Sequence, residues 1–246
     1  MKQQVIVLPD PAAVAEAAAQ RLVGFLLEAQ SVDSPVDVAL TGGSLGIALL
    51  AQARANPLLD AIAWPDVRFW WGDERFLEAS SLERNEVAAR QALLDHLPVP
   101  PRGVYPIPAR QPDLTLDQAA QQYQDLLRQL KVSFDLVLLG VGPDGHVASI
   151  FPGLEPIPAD NPGHTLTNEP TVLPVRHSPK PPAERISLTL ETINQAREVW
   201  LVAAGTAKAS ALAAVGRGEA VPAGRVQGRE RTLWLVDAAA AGSLKP

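Results

Sequence analysis

The fold is decided by the stretch FDLVLLGVGPDGHVAS, residues 134–149. Its first part, Phe134 to Leu139, is almost wholly apolar, as expected of a strand that is covered on both faces. Three glycines and a proline come next and predict a turn of special geometry. Open parallel sheets bind ligands at the carboxyl ends of their strands, so the residues directly after each predicted strand are the first candidates for a site.

Five further apolar runs of strand length alternate with amphipathic runs rich in Ala and Leu. The predicted strands are Val5 to Leu8, Val36 to Leu40, Val67 to Trp71, Glu198 to Ala203 and Arg231 to Val236. The predicted helices are Pro11 to Ala29, Ser44 to Ala55, Asn85 to Leu94, Asp113 to Leu130 and Thr206 to Val215. Repeated β–α units predict an α/β fold, an open, mostly parallel sheet with helices on both faces.

The composition is that of an ordinary globular protein. The chain has 246 residues, of which 47% are hydrophobic and 20% charged, and this excludes a disordered chain. Because the composition does not change along the chain, we expect residues 1–246 to form a single domain. The proline-rich segment 152–182 is then a stiff excursion over the surface, although a linker is the alternative.

Charge and cysteine content exclude several classes of function. A net charge of −6 gives no basic excess for nucleic acid or an anionic membrane, so neither is expected as a partner. The absence of Cys excludes disulfides and a Cys nucleophile, and no His, Asp or Glu cluster has the spacing of metal ligands. The apolar runs of the chain are too short for a signal peptide or a membrane span. Together with the absence of Cys, this predicts a cytoplasmic protein.

A glycine turn comes directly after the second predicted strand. Gly42, Gly43 and Ser44 lead into a helix, where backbone N–H groups and a hydroxyl favour a phosphate. The alternative is an ordinary glycine turn in which Ser44 caps the helix.

Four cations stand near other strand ends or in the proline-rich segment. Arg75 comes after the third strand in Gly72-Asp73-Glu74-Arg75-Phe76 and is suited to a phosphate or a carbonyl oxygen. Prolines stiffen the segment that carries Lys180 and Arg185, and Lys208 opens the helix after the strand Glu198 to Ala203. The alternative for these residues is a solvated surface role.

The turn after Leu139 presents Asp144 and His146. Histidine has an ordinary pKa of about 6.5 and can take a proton from water near neutral pH. The alternative is a histidine that merely caps a following helix. A covalent route through Ser149 also stays open, although no Gly-x-Ser-x-Gly elbow surrounds this serine.

Four segments, taken together and in order, resemble the 6-phosphogluconolactonase family. They are Thr41 to Ser44, residues 72–76 with Asn85, residues 134–153, and residues 178–187. The resemblance implies a modified Rossmann-like fold, shared with glucosamine-6-phosphate deaminases and ribose-5-phosphate isomerases. It implies hydrolysis of the ring ester of 6-phospho-D-glucono-1,5-lactone to 6-phospho-D-gluconate in the oxidative pentose phosphate pathway, with a small sugar-phosphate lactone as the partner and no cofactor or metal.

The resemblance also assigns residues. It implies that His146 is the general base that activates water and that Asp144 orients it. The implied set for the 6-phosphate and the developing oxyanion is Gly42, Gly43, Ser44, Arg75, Arg185 and Lys208. The chain departs from the usual family pattern at Leu77-Glu78 and at Arg84.

Two other functions are compatible with this fold. An amino-sugar-phosphate isomerase or deaminase carries a Glu shortly after the histidine, where this chain has Ala148-Ser149-Ile150-Phe151. A non-catalytic sugar-phosphate-binding sensor needs a DNA-binding module, for which the chain offers neither room nor basic charge, and it would leave His146 without a task. Both are therefore weaker interpretations than the lactonase.

Overall fold

The computed structural model describes residues 2–32, 35–154, 171–242 and 244. Within these ranges the strands are β1 (Lys2–Leu8), β2 (Val36–Leu40), β3 (Val67–Trp71), β4 (Asp73–Arg75), β5 (Leu136–Gly140), β6 (Val172–Val175), β7 (Arg185–Leu188), β8 (Glu198–Ala203) and β9 (Arg231–Asp237). Six of them form one sheet in the order β1-β9-β8-β5-β2-β3. Every neighbouring pair in it is parallel, as the sequence predicts.

The helices of the described ranges are α1 (Pro11–Gln30), α2 (Gly43–Ala53), α3 (Asn85–Ala92), α4 (Leu116–Gln129), α5 (Leu190–Asn194), α6 (Ala209–Gly216) and α7 (Ala238–Ala241). Local sequence sets several of their starts. The side chain of Asp10 accepts a hydrogen bond from the N–H of Ala13 at 2.9 Å, ahead of α1. Thr115 and Gln118 form a capping box at α4. None of the helices described here has the length and apolarity to cross a bilayer.

The burial of the central strands is typical of a parallel sheet inside a protein. All five residues of β2 are buried, and so are Leu136 to Leu139 of β5, although successive side chains point to opposite faces. Both faces of these strands are therefore covered, which confirms the predicted α/β class. Trp70, Trp71, Trp200 and Trp234 are among the largest fully buried side chains and fill this core.

A second, three-stranded antiparallel sheet, β4-β7-β6, adjoins the first. The chain passes from β3 into β4 at Gly72, whose N–H donates to Leu40 and whose carbonyl accepts from Leu188. The sequence prediction missed this sheet. It placed a loop at 72–76, where β4 lies, and a surface excursion at 152–182, whose later part contains β6. Residues 155–170 of that excursion lie outside the described residues.

Candidate active site

The carboxyl ends of the central strands open into one cavity of about 340 Å³. Loops after β2, β5 and β8 meet there with β4 and with the hairpin between β6 and β7. Its polar lining includes Gly42, Gly43, Ser44, Asp73, Arg75, Asn85, His146, Lys180, Arg185 and Lys208. The structure therefore brings together at one cavity every residue that the sequence selected except Asp144, which contacts His146 directly.

The turn after β5 closes on itself. The N–H of Gly142 donates to the carbonyl of His146 at 2.8 Å, and the N–H of Gly145 donates to the carbonyl of Gly142 at 3.0 Å. A Cβ on Gly142 would lie 2.0 Å from His146 Nδ1, so a side chain at this position would displace the ring. Gly145 has a φ of +82°, a conformation that favours glycine. The glycines thus place the imidazole ring.

His146 is held by an acid and an aromatic ring. Its Nδ1 lies 2.5 Å from Asp144 Oδ1, and its ring centroid lies 4.5 Å from that of Phe151. An ionised carboxylate can only accept a hydrogen bond, so pairing with Asp144 requires the ring proton on Nδ1 and leaves the lone pair of the neutral ring on Nε2. In the described part of the chain residues 147–154 form turns and isolated bridges and no helix, so His146 is not a helix cap.

Burial and neighbouring charges set the titration of this pair. Burial lowers the pKa of His146, and the nearby Lys180 ammonium ion lowers it further, which outweighs the opposite effect of Asp144. Burial by itself would raise the pKa of Asp144, but the hydrogen bond and the charge of His146 lower it overall. The pair therefore holds an ionised carboxylate beside an imidazole that is neutral near pH 7.

The N-terminus of α2 faces the same cavity. Its N-cap is Gly42, and no side chain of the described residues caps the helix, which contradicts the alternative role of Ser44 as N-cap. Backbone N–H groups at such an end favour an anion. A Cβ on Gly42 would lie 1.9 Å from Asn85 Oδ1, so this glycine lets α3 approach the turn.

A buried ion-pair network supports the loop after β4. The Glu74 carboxylate accepts the N–H groups of Arg75 and Asn85, both at 2.8 Å, and of Glu86 at 2.9 Å. Arg84 has a fully buried side chain, which lies 3.8 Å from Glu74 and 3.1 Å from Glu86. Burial raises the pKa of Glu74 to about 7, although Arg84 acts in the opposite direction.

Arg84 also fixes the backbone around Arg75. Its guanidinium donates to the carbonyl of Ile107 at 2.7 Å and to those of Leu77 and Arg75 at 3.4 and 3.5 Å. Arg75 itself donates to the carbonyl of Glu83 and lines the cavity. The departure from the family pattern at Arg84 is thus a structural element of the loop.

Asp73 is a buried carboxylate at the cavity wall. Its Oδ2 accepts from the Ser149 hydroxyl at 2.6 Å, and its Oδ1 is 3.4 Å from Asn85 Nδ2. Ser149 is 2% exposed and its only hydrogen is used in this bond. The geometry argues against the covalent route through Ser149, because this hydroxyl donates to Asp73 and forms no hydrogen bond to a histidine of the described ranges.

Arg185 and Lys208, two of the other predicted cations, differ in their surroundings. Arg185 is 5% exposed and donates to the carbonyls of Lys180, Pro181 and Pro182 at 3.1, 3.1 and 3.2 Å. These contacts use Nε and Nη2, so Arg185 supports the loop as well as lining the cavity. Lys208 is half-buried, and burial together with the charge of Lys180 lowers its pKa.

Asp73 and Asn85 line the cavity but were given no individual role from the sequence, although both stand in the segments that carry the family resemblance. The structure adds that Asn85 contacts Gly42 and Asp73. The described ranges contain no cluster of three or more His, Asp or Glu side chains placed to hold a metal ion.

Comparison with known proteins agrees with this geometry. Residues 9–234 match the family model described as glucosamine-6-phosphate isomerases/6-phosphogluconolactonase. The 6-phosphogluconolactonase of Streptomyces coelicolor is 46% identical over 98% of this chain and 94% of its own. That of Mycobacterium tuberculosis is 39% identical over 99% of both chains. The structure of 6-phosphogluconolactonase from Trypanosoma brucei superposes with a TM-score of 0.82, 29% identity and 99% coverage of both chains. The chain belongs to the family of glucosamine-6-phosphate isomerases and 6-phosphogluconolactonases.

Proposed function

We propose that this protein hydrolyses the ring ester of 6-phospho-D-glucono-1,5-lactone to 6-phospho-D-gluconate, a reaction of the oxidative pentose phosphate pathway. One observation carries the proposal: a histidine paired with Asp144 shares a cavity with an uncapped helix N-terminus and several cations. A phosphorylated lactone has the two matching parts, an ester to be attacked and a phosphate to be held. The relatives at 39–46% identity carry the name of this activity.

His146 acts as the general base in this scheme. Its Nε2 takes a proton from a water molecule while the water oxygen attacks the lactone carbonyl carbon. The tetrahedral intermediate then collapses, the ring C–O bond breaks, and the imidazolium returns its proton to the leaving oxygen. Asp144 keeps Nδ1 protonated and steadies the imidazolium. A positioned base contributes about 10²–10⁴-fold, which suffices for an ester as reactive as a lactone.

The other side of the cavity holds the anion. The N-terminal N–H groups of α2 at Gly43 and Ser44, with Arg75, Arg185 and Lys208, supply donors and positive charge in a protein of net charge −6. These groups bind the 6-phosphate, and those nearest the carbonyl stabilise the oxyanion.

We further propose that residues 1–246 act as a single domain, in the cytoplasm, with a sugar-phosphate lactone as ligand and without nucleic acid. One hydrophobic cluster contains both Val5 near the start and Leu244 near the end, which supports one domain. The acidic net charge supports the absence of nucleic acid as a partner, and the absence of Cys supports the cytoplasm.

The test is lactone hydrolysis by the purified protein, with the phosphorylated lactone generated in place and the spontaneous rate subtracted. We expect strong acceleration of 6-phosphogluconolactone and little of unphosphorylated gluconolactone. Equal acceleration of both would keep the lactonase and overturn the phosphate site. No acceleration would overturn the reaction and favour the sugar-phosphate sensor.

A pair of histidine variants tests the base. His146→Ala is expected to lower kcat about 10²–10⁴-fold while ligand binding is largely kept. His96→Ala is the matched control, because His96 is exposed and contacts Arg54 away from the cavity. Full turnover in His146→Ala would show that another group activates the water.

A further inference from the structure

The hairpin between β6 and β7 delivers one lysine to the catalytic pair. The Lys180 ammonium nitrogen lies 3.3 Å from His146 Nδ1 and 3.5 Å from Asp144 Oδ1. It therefore stands on the side of the imidazole that faces the carboxylate, opposite to Nε2. The Lys180 side chain is 39% exposed and lines the cavity.

The tip of this hairpin is built to hold its shape. The Ser178 N–H donates to the carbonyl of Ala183 at 3.0 Å, and its hydroxyl donates to the carbonyl of Lys180 at 2.9 Å. Arg185, buried beneath the tip, donates to the same Lys180 carbonyl and to that of Pro181. Consecutive prolines restrict the backbone further. A lysine on such a loop reaches its target with little loss of backbone freedom.

The base of the hairpin is fixed independently. Arg176 pairs with Asp117 at the start of α4, and Glu184 pairs with Arg110. Phe151 lies between the hairpin and the catalytic turn. The Arg185 guanidinium carbon is 5.9 Å from the centroid of the Phe151 ring, and the same ring contacts His146. The position of Lys180 relative to His146 thus results from packing between two elements far apart in sequence.

We propose that Lys180 is a positioning residue for the general base, whose ammonium ion offsets part of the charge of Asp144 and so, together with burial of the ring, favours neutral His146 while Asp144 orients it. The inference rests on the proposed role of His146. An unbalanced carboxylate 2.5 Å from the ring would favour the imidazolium, which cannot accept a proton from water. With Lys180 in place, the carboxylate fixes the tautomer without trapping the proton.

The charged groups that act on this ring come from three elements, namely its own turn, the hairpin between β6 and β7, and β4. Asp144 lies on its own turn and Lys180 on the hairpin, while Asp73 on β4 acts on the ring by charge. Lys208, before α6, is coupled by charge to Lys180 and Asp144. Removal of Lys180 takes away the cation closest to the ring. Its repulsion of the imidazolium is lost, and the Asp144 carboxylate attracts the imidazolium more strongly, so both changes favour protonation of His146. Lys180→Met must raise the pKa of His146.

The first measurement is an NMR titration of the His146 imidazole in the full chain without ligand, assigned by comparison with His146→Ala. We expect Lys180→Met to raise the pKa of His146 by at least about one unit, which is the Coulomb energy in bulk water for the 3.3 Å between Lys180 Nζ and His146 Nδ1. Lys180→Arg keeps the charge and should restore most of the original pKa. Arg21→Met removes an exposed cation of α1, which contacts the carbonyl of Ala17 and does not line the cavity, and should leave the pKa of His146 unchanged.

The second measurement is the pH dependence of kcat/KM for 6-phosphogluconolactone. The acid limb of the profile should shift to higher pH in Lys180→Met by the same amount. In Lys180→Arg it should return to its wild-type position. The proposal is overturned if the pKa of His146 from NMR does not change. It is also overturned if KM rises while the acid limb stays in place, and Lys180 is then a substrate contact. If the wild type does not hydrolyse the lactone, the proposed function fails, while the titration still decides whether Lys180 tunes His146.

Discussion

The turn after β5 and the loop after β4 both deliver polar side chains to the cavity, yet different forces hold them. The turn that carries Asp144 and His146 is shaped by backbone sterics, since a Cβ on Gly142 would collide with the imidazole. The loop that follows Arg75 is shaped by charge, since the Glu74 carboxylate and Arg84 are buried together beneath it.

This difference separates two kinds of sensitivity. A site held by close backbone packing responds to added volume and little to pH or salt. A site held by buried charges tolerates small changes of shape but not the removal of one charge, because the partner is then left without compensation in a medium of low dielectric. The two sides of the cavity should therefore fail in different ways.

The largest effect is expected on the charged side. Arg84→Met leaves Glu74 buried without its cation, and we expect a loss of about 3–5 kcal/mol in the free energy of unfolding at pH 8. Burial already raises the pKa of Glu74 to about 7 from 4.5, so its ionisation costs stability as the pH rises through this range. Without Arg84 the folded-state pKa rises further, and the difference between wild type and variant should be smaller at pH 5. Urea unfolding at both pH values measures it.

The control for this variant is Arg110→Met. Arg110 and Glu184 form an ion pair whose side chains are 46% and 42% exposed, and exposed pairs contribute up to about 1 kcal/mol. A loss in Arg84→Met as small as that in Arg110→Met, or one that does not change with pH, would contradict the buried-charge account.

The next effect is expected on the steric side. In Gly142→Ala the added Cβ would lie 2.0 Å from His146 Nδ1 and 2.5 Å from Asp144 Oδ1, so the ring must move. Loss of a positioned base predicts a fall of about 100-fold in kcat. Circular dichroism and a measured Kd for 6-phosphogluconate should remain close to those of the wild type.

Gly24→Ala is the matched control, because a Cβ at this position in α1 meets nothing within 4 Å. It should keep full activity and add about 0.5–1 kcal/mol to the stability through helix propensity. Equal activity losses in the two variants would show that collision with the ring is not the cause.

The parallel sheet was predictable from the sequence because its strands are long and apolar. All six predicted runs are strands of the sheet, with ends that differ by a few residues. The second sheet was not predictable, for a physical reason. β4 has three residues, Asp73–Arg75, all charged, and β6 has four residues with Pro174 among them. Such short polar or proline-containing segments become strands only through pairing with β7.

Within the site, the sequence indicated residues that stand next to strand ends and missed those that depend on tertiary contacts. Gly42, Arg75 and His146 each come soon after a predicted strand, and all line the cavity. Arg84 is distant from any predicted strand end, and its importance comes from burial beside Glu74. No local pattern announces a buried arginine whose partners come from both sides of a loop.

The smallest expected effect concerns Lys208, which lines the cavity and is coupled by charge to Lys180 and Asp144. Lys208→Met removes one phosphate ligand and should raise KM for 6-phosphogluconolactone about tenfold, the equivalent of about 1.4 kcal/mol of binding, while kcat changes less than twofold. Hydrolysis of unphosphorylated gluconolactone should not change, because it offers no phosphate to the missing ammonium ion. A fall in kcat for both lactones would place Lys208 at the oxyanion instead. In that case the phosphate would be bound by the N-terminus of α2 together with Arg75 and Arg185, without Lys208.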